Sequence, residues 1–265
     1  MIRPRALTVT LITVAVLLFS GTGLGEAGQT SPPCAADLDS CPYNGCAEPG
    51  TDDALIHQLK RRMLPPGTPV RLTLDDFERL QSEADQLVGQ KVSLDQAARE
   101  ELRDLTVKSS DLLVSEGDLV EVTGYMVGLP HRPRASGPES VNCRLTGTDN
   151  NDFHIPLARH PEDTEFEGIV VEMIPQDRPD EWTTGKLRRI ARENRQVLVR
   201  GQLLYDNLHE VNDDPDNVKA GQPKRFALWE VHPVTEVYVC VTASKKCDPT
   251  KVKEPQWKRV EKLKD

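Results

Sequence analysis

Beyond residue 27 this chain has no apolar run approaching the ~20 residues that a bilayer-spanning helix needs. A helical span is thereby excluded from the remainder. Aromatic residues make up only 5% of the sequence, which leaves few rings on which nucleic-acid bases could stack. Positive charge is also in deficit: 33 Lys and Arg face 42 Asp and Glu, a net charge of −9. That balance disfavours nucleic acid as a partner, a local basic patch aside. No serine stands in a G-x-S-x-G elbow, and there is no H-E-x-x-H. The spacing C-x6-C-x4-C lacks the close C-x2-C pairs usual in structural zinc sites. There is no internal repeat.

What is present begins with a secretory pattern. Arg3 and Arg5 precede an apolar stretch from Leu7 to Phe19, and small residues follow at Gly21, Gly23, Gly25 and Ala27. Residues 1–27 are therefore expected to be a signal peptide, with the mature chain periplasmic or extracellular. Six cysteines, an even number in a chain expected to be exported, imply disulfides: Cys34, Cys41, Cys46, Cys143, Cys240 and Cys247. Three precede the predicted helices and three lie in or after the predicted strands. If all six pair, an odd number of bridges joins the two groups, and one must close a loop of roughly 100 residues or more.

Residues 28–69 are rich in Pro, Gly, Asp and Cys and form a leader, with a short helix expected over 54–63. Residues 70–110 predict a helical hairpin. Thr73 caps a stripe of Phe77, Leu80, Ala84, Leu87 and Val88 that ends at Gly89; Ser93 and Gln96 read as a second capping box. From Gly117 the apolar period drops to two, so residues 111–241 predict strands. These are DLVEVTGYMVGLP, VNCRLTGTDNNDFHIPLA, EGIVVEMIP, QVLVRGQLLYD and FALWEVHPVTEVYVC, with a helix over 180–194 between the third and fourth. Gly124 marks a strong bend, and Pro233, which cannot donate to a ladder, marks an edge or bulge. Residues 242–265 form a tail with eight Lys/Arg against four Asp/Glu, expected to be peripheral.

Three strands, a helix and two strands is the order of a five-stranded OB-fold-like Greek-key barrel, mainly β in class. The segments GDLVEVTGYMVGL, DFHIPLA, VVEMIP, VLVRGQLLYDNLHE and FALWEVHPVTEV resemble a group of uncharacterised exported bacterial proteins with an OB-like barrel. The resemblance covers residues 115–240, about half the chain, and LLYDNLH paired with LWEVHPVTEV is its most specific element. It implies the fold and carries no activity.

In an OB strand order of 1-2-3-5-4, strands two, three and five are neighbours. Alternation then puts His154, Glu172, Glu230 and His232 on one outward parity, with Trp229, Val231, Val237 and Val239 facing the core. Two imidazoles and two carboxylates on one face suit a divalent metal, zinc or manganese, able to activate water. The alternative is that the same groups simply hydrogen-bond each other, with no cofactor at all. For nucleic acid, Tyr125, Tyr205, Arg132, Arg134 and Arg144 are the candidate contacts, opposed by Asp213, Asp214 and Asp216 in the loop before the fifth strand. The sequence thus points to an exported OB-fold-like binding or interaction module, its ligand a single-stranded nucleic acid or a protein or glycan. A metal-dependent hydrolase on the His/Glu face is the competing reading.

Overall fold

The computed structural model describes residues 31–91, 93–107, 113–128 and 138–264. The expected signal peptide, and with it Arg132 and Arg134, lie outside the described residues. Five strands close into a barrel: β4 (Leu119–Met126), β5 (Phe153–Ala158), β6 (Gly168–Met173), β7 (Gln196–Tyr205) and β8 (Trp229–Cys240). Their order is β4-β5-β6-β8-β7, and β7 closes on β4. The pair β6–β8 is parallel and the rest are antiparallel. In barrel numbering this is 1-2-3-5-4, the order expected of an OB barrel. Four outer strands come before and after: β1 (Val70–Leu72) runs parallel to β4, the short β2 (Leu105–Thr106) and β3 (Leu113–Val114) pair with each other, and β9 (Trp257–Arg259) pairs with β8.

Alternation decides what fills the barrel. Phe153, Ile155 and Leu157 of β5, Ile169, Val171 and Met173 of β6, and Trp229, Val231, Val237 and Val239 of β8 all enter one apolar core. The barrel bends at two glycines. A Cβ on Gly124 would lie 2.7 Å from the Ala158 carbonyl, where β4 leaves β7 to meet β5. A Cβ on Gly201 would collide with the Pro233 carbonyl. There the β7–β8 register slips, so the bulge expected from Pro233 falls opposite Gly201.

The helices sit outside the barrel. α1 (Asp52–Lys60) is capped by Thr51, and α2 (Leu74–Leu87) by a full Thr73–Asp76 capping box. Phe77, Leu80 and Ala84 of α2 join the barrel's apolar cluster. The second helix of the expected hairpin, α3, is only Gln96–Glu100 and is capped by Asp95 rather than Ser93. α4 (Thr184–Arg192) lies between β6 and β7 as the periodicity predicts.

Two elements depart from the sequence reading. Residues 141–144, expected as the start of a strand, form a turn, with Cys143 and Arg144 both in the left-handed region at φ 55°. The tail is more than peripheral: Trp257 is buried and donates from Nε1 to the Asp248 carbonyl, and Val260 enters the main core. All six cysteines are paired, as Cys34–Cys46, Cys41–Cys143 and Cys240–Cys247. Cys41–Cys143 spans 102 residues and is the long leader-to-barrel bridge the count required. Among the described residues no helix is long and apolar enough to cross a membrane.

Candidate functional site

The outward parity of β5, β6 and β8 carries a buried polar cluster. His154 and Glu172 are directly opposite across the β5–β6 ladder, and Val171 pairs with Val231, which brings Glu230 and His232 alongside. His154 Nε2 is 3.3 Å from Glu172 Oε1, and His232 Nδ1 is 2.9 Å from Glu172 Oε2 and 3.0 Å from Glu230 Oε1. The four residues named from sequence therefore meet. What the sequence reading missed is that this face is covered. Glu172, Glu230 and His232 are buried, while His154 retains 21% side-chain exposure.

The cover comes from two directions. The turn-rich segment before β5 contributes Glu139, whose Oε1 is 3.4 Å from His154 Nε2. Asn142 Nδ2 donates to Glu139 and to Asp152, at 2.7 and 2.8 Å, and the Asp152 amide donates to Glu139. Asp152 Oδ2 in turn lies 3.5 Å from His232 Nε2. The leader covers the other side. Lys60, in the last turn of α1, donates to Asp206 at 3.1 Å, and Gln202 Nε2 bridges the Leu59 and His232 carbonyls. From the long loop before β8, Arg225 donates to Glu230 at 2.8 Å and to Asp206 at 3.2 Å, with His209 also beside Asp206.

The cluster thus has two halves of different character. Asp206 and Glu230 are matched by the fixed cations Lys60 and Arg225. Among the described residues the ion-pair partners of Glu139, Asp152 and Glu172 are imidazoles. Burial shapes the proton affinities accordingly. It lifts Glu139 to about 7, assisted by Glu172, and lifts Asp152 to about 7, assisted by Glu139. Burial opposes charge on His232, but Glu172 and Glu230 prevail and raise it to about 10. Burial would raise Glu172 and Asp206 as well. His154, His232 and Lys60 instead pull Glu172 below its ordinary range, and Lys60, His209 and Arg225 do the same for Asp206.

Two sets of side chains here have ligand atoms close enough to share an ion: Asp152, Glu172 and His232, and Glu172, Asp206 and Glu230. Asp152 was legible, since it sits two residues before His154 on the same parity. Glu139, Lys60 and Arg225 carried no signal, because they arrive from loops and a helix that strand alternation does not address.

The residues considered for nucleic acid do not assemble into a platform. Tyr205 is fully buried and packs edge-to-face on Trp229 with ring centroids 5.2 Å apart, so it is a core residue. Tyr125 and Arg144 are half-buried on different segments. A second surface feature is an open groove between α2 and the loop before β8, lined by Glu78, Asp85, Gln86, Val211, Asp213 and Phe226. Compared with known protein families the chain matches no family model, and no curated protein matches it.

Proposed function

We propose that this chain is an exported binding module of OB-fold type whose partner is a protein segment carrying positive charge. The observation that carries this reading is the groove between α2 and the β7–β8 loop. In OB barrels that loop is one of the two that carry binding. Here it is anchored to α2 by the Leu228 amide, which donates to Gln81 Oε1 at 2.6 Å. Carboxylates of Glu78, Asp85 and Asp213 rim the groove beside the half-buried Val211 and Phe226. Such a rim repels phosphate and attracts Lys or Arg, while the apolar pair offers contact to side-chain stems. The barrel's β5–β6–β8 face is already covered by the chain's own leader and by Glu139 and its loop. Pairing of all six cysteines supports export.

The hydrolase reading has less support. A catalytic metal needs an open coordination position that substrate can reach, and Glu172, Glu230 and His232 are sealed from solvent.

Titration of the oxidised full chain with a lysine-rich peptide, a glutamate-rich peptide and an oligo-dT strand separates the readings. The lysine-rich peptide should bind alone, and weaken as salt rises. Asp85→Asn with Asp213→Asn should reduce its affinity at least severalfold. Preference for oligo-dT, or no response to the cationic peptide, rejects the proposal.

A further inference from the structure

The half of the buried cluster without fixed cations has the spacing of a metal centre. Four ligands at about 2.0–2.2 Å around a tetrahedral ion stand about 3.3–3.6 Å from one another. The ligand atoms of Asp152, Glu172 and His232 all lie within 4.8 Å of one another, and His232 Nε2 stands 3.5 Å from Asp152 Oδ2, inside that range. That contact is long for an N–H···O bond, which runs about 2.7–3.2 Å. A second and independent sign is His232 Nε2 itself. It is buried and has no hydrogen-bond partner among the described residues, yet it is aimed at Asp152. Burying an unmatched polar nitrogen costs free energy unless something else satisfies it.

The opposite edge of the same ring is arranged as metal-binding imidazoles usually are. His232 Nδ1 donates to Glu230 at 3.0 Å, and Glu230 is fixed from behind by Arg225. A carboxylate on Nδ1 fixes the tautomer whose Nε2 lone pair is bared once the ion displaces the ring proton there. Asn142 plays the equivalent part for the carboxylates, binding both Glu139 and Asp152. Glu230 thereby changes role from the sequence reading, from ligand to orienting partner.

We infer that Asp152, Glu172 and His232 form a binding site for a single divalent cation, zinc by preference, with His154 and Glu139 flanking its mouth. One imidazole nitrogen with two carboxylate oxygens suits zinc, and the oxygen share admits manganese. The rival clusters are accounted for. Around Asp206 and Glu230 the positive charge is supplied by Lys60 and Arg225, and the sulfurs of Cys34, Cys46 and Cys143 are engaged in disulfides. His154 and Glu139, at 21% and 16% side-chain exposure, give the ion its route in. Since Asp152 directly precedes β5 while Glu172 and His232 lie on β6 and β8, the ion would tie these strands together and, through the Asn142 bond to Asp152, steady the loop bearing Cys143. This site stands independently of the acidic groove.

The test uses the oxidised full chain, stripped with chelator, dialysed and titrated with Zn²⁺ under calorimetry, with metal content measured after desalting. One equivalent should bind and raise Tm. Asp152→Asn and Glu172→Gln, which keep each side chain's shape, should each weaken Zn²⁺ at least tenfold. Their unchanged circular dichroism separates ligand loss from unfolding. His209→Ala, beside Asp206 and outside the set, should bind like the parent. Failure to retain stoichiometric metal overturns the inference, as does Zn²⁺ binding that Asp152→Asn and Glu172→Gln leave unchanged. A failed peptide titration would leave this result untouched, and the converse also holds.

Discussion

Arg225 is fully buried, and its guanidinium is spent on Glu230 at 2.8 Å and Asp206 at 3.2 Å. A planar fork can hold two carboxylates at once where an ammonium cannot. Of these two acids Lys60 pairs with Asp206 and His232 with Glu230, so among the described residues Arg225 is what joins them. Removing it leaves both acids with half their compensation in a buried site. Arg225→Met is expected to cost about 3–5 kcal/mol in urea denaturation. Arg225→Lys should recover only part of that, because one ammonium serves one acid. A loss below about 1 kcal/mol for Arg225→Met would mean that Lys60 and His232 suffice.

Among the elements, the strands were legible in the sequence and their coverings were not. Period-two alternation placed Trp229 and Val231 inward and Glu230 and His232 outward, because pleating ties side-chain direction to residue number. Outward on a barrel is not the same as exposed, and α1 shows why. Its Ala54 and Ile56 are buried and its Lys60 reaches Asp206, yet nothing in a short leader helix announces which sheet face it lies on. The same holds for residues 141–144, whose turn depends on a disulfide and on Asn142 rather than on any local period. His57 reports on the docking of α1. It is buried in the helix, its Nδ1 donates to the Asn44 carbonyl at 2.9 Å, and burial depresses its pKa. A depressed histidine stabilises the fold above its unfolded pKa of about 6.5, and that contribution is lost as pH falls. Glu139 and Asp152, both raised, act oppositely and destabilise as pH rises toward about 7. The His57 effect must therefore be read as a difference. From about pH 7.5 to 5.5 the parent should lose stability relative to His57→Gln. Parallel pH profiles would show that the α1 histidine ionises freely.

At the scale of the whole molecule, the leader and the barrel are joined by one covalent tie and a polar seam. Cys41–Cys143 closes 102 residues, whereas Cys240–Cys247 closes only 7. Loop-closure entropy grows slowly with length, so the long bridge should constrain the unfolded chain by about 4.7 kcal/mol and the short one by about 2–3. The long bridge has a second effect in the folded state. Cys143 sits one residue from Asn142, which orients Glu139 and Asp152, and Cys41 lies beside the Arg61 guanidinium at the end of α1. Cutting it frees both covers of the polar face together. Cys41→Ala with Cys143→Ala is accordingly expected to lower the unfolding free energy by more than Cys240→Ala with Cys247→Ala, and to speed proteolysis between residues 34 and 62. The short bridge should leave that cleavage rate unchanged, because its loop packs on β7, β8 and β9, away from the leader's own bridges. Equal losses for the two pairs, with no change in cleavage, would mean that Lys60, Gln202 and the buried side of α1 hold the leader without the disulfide.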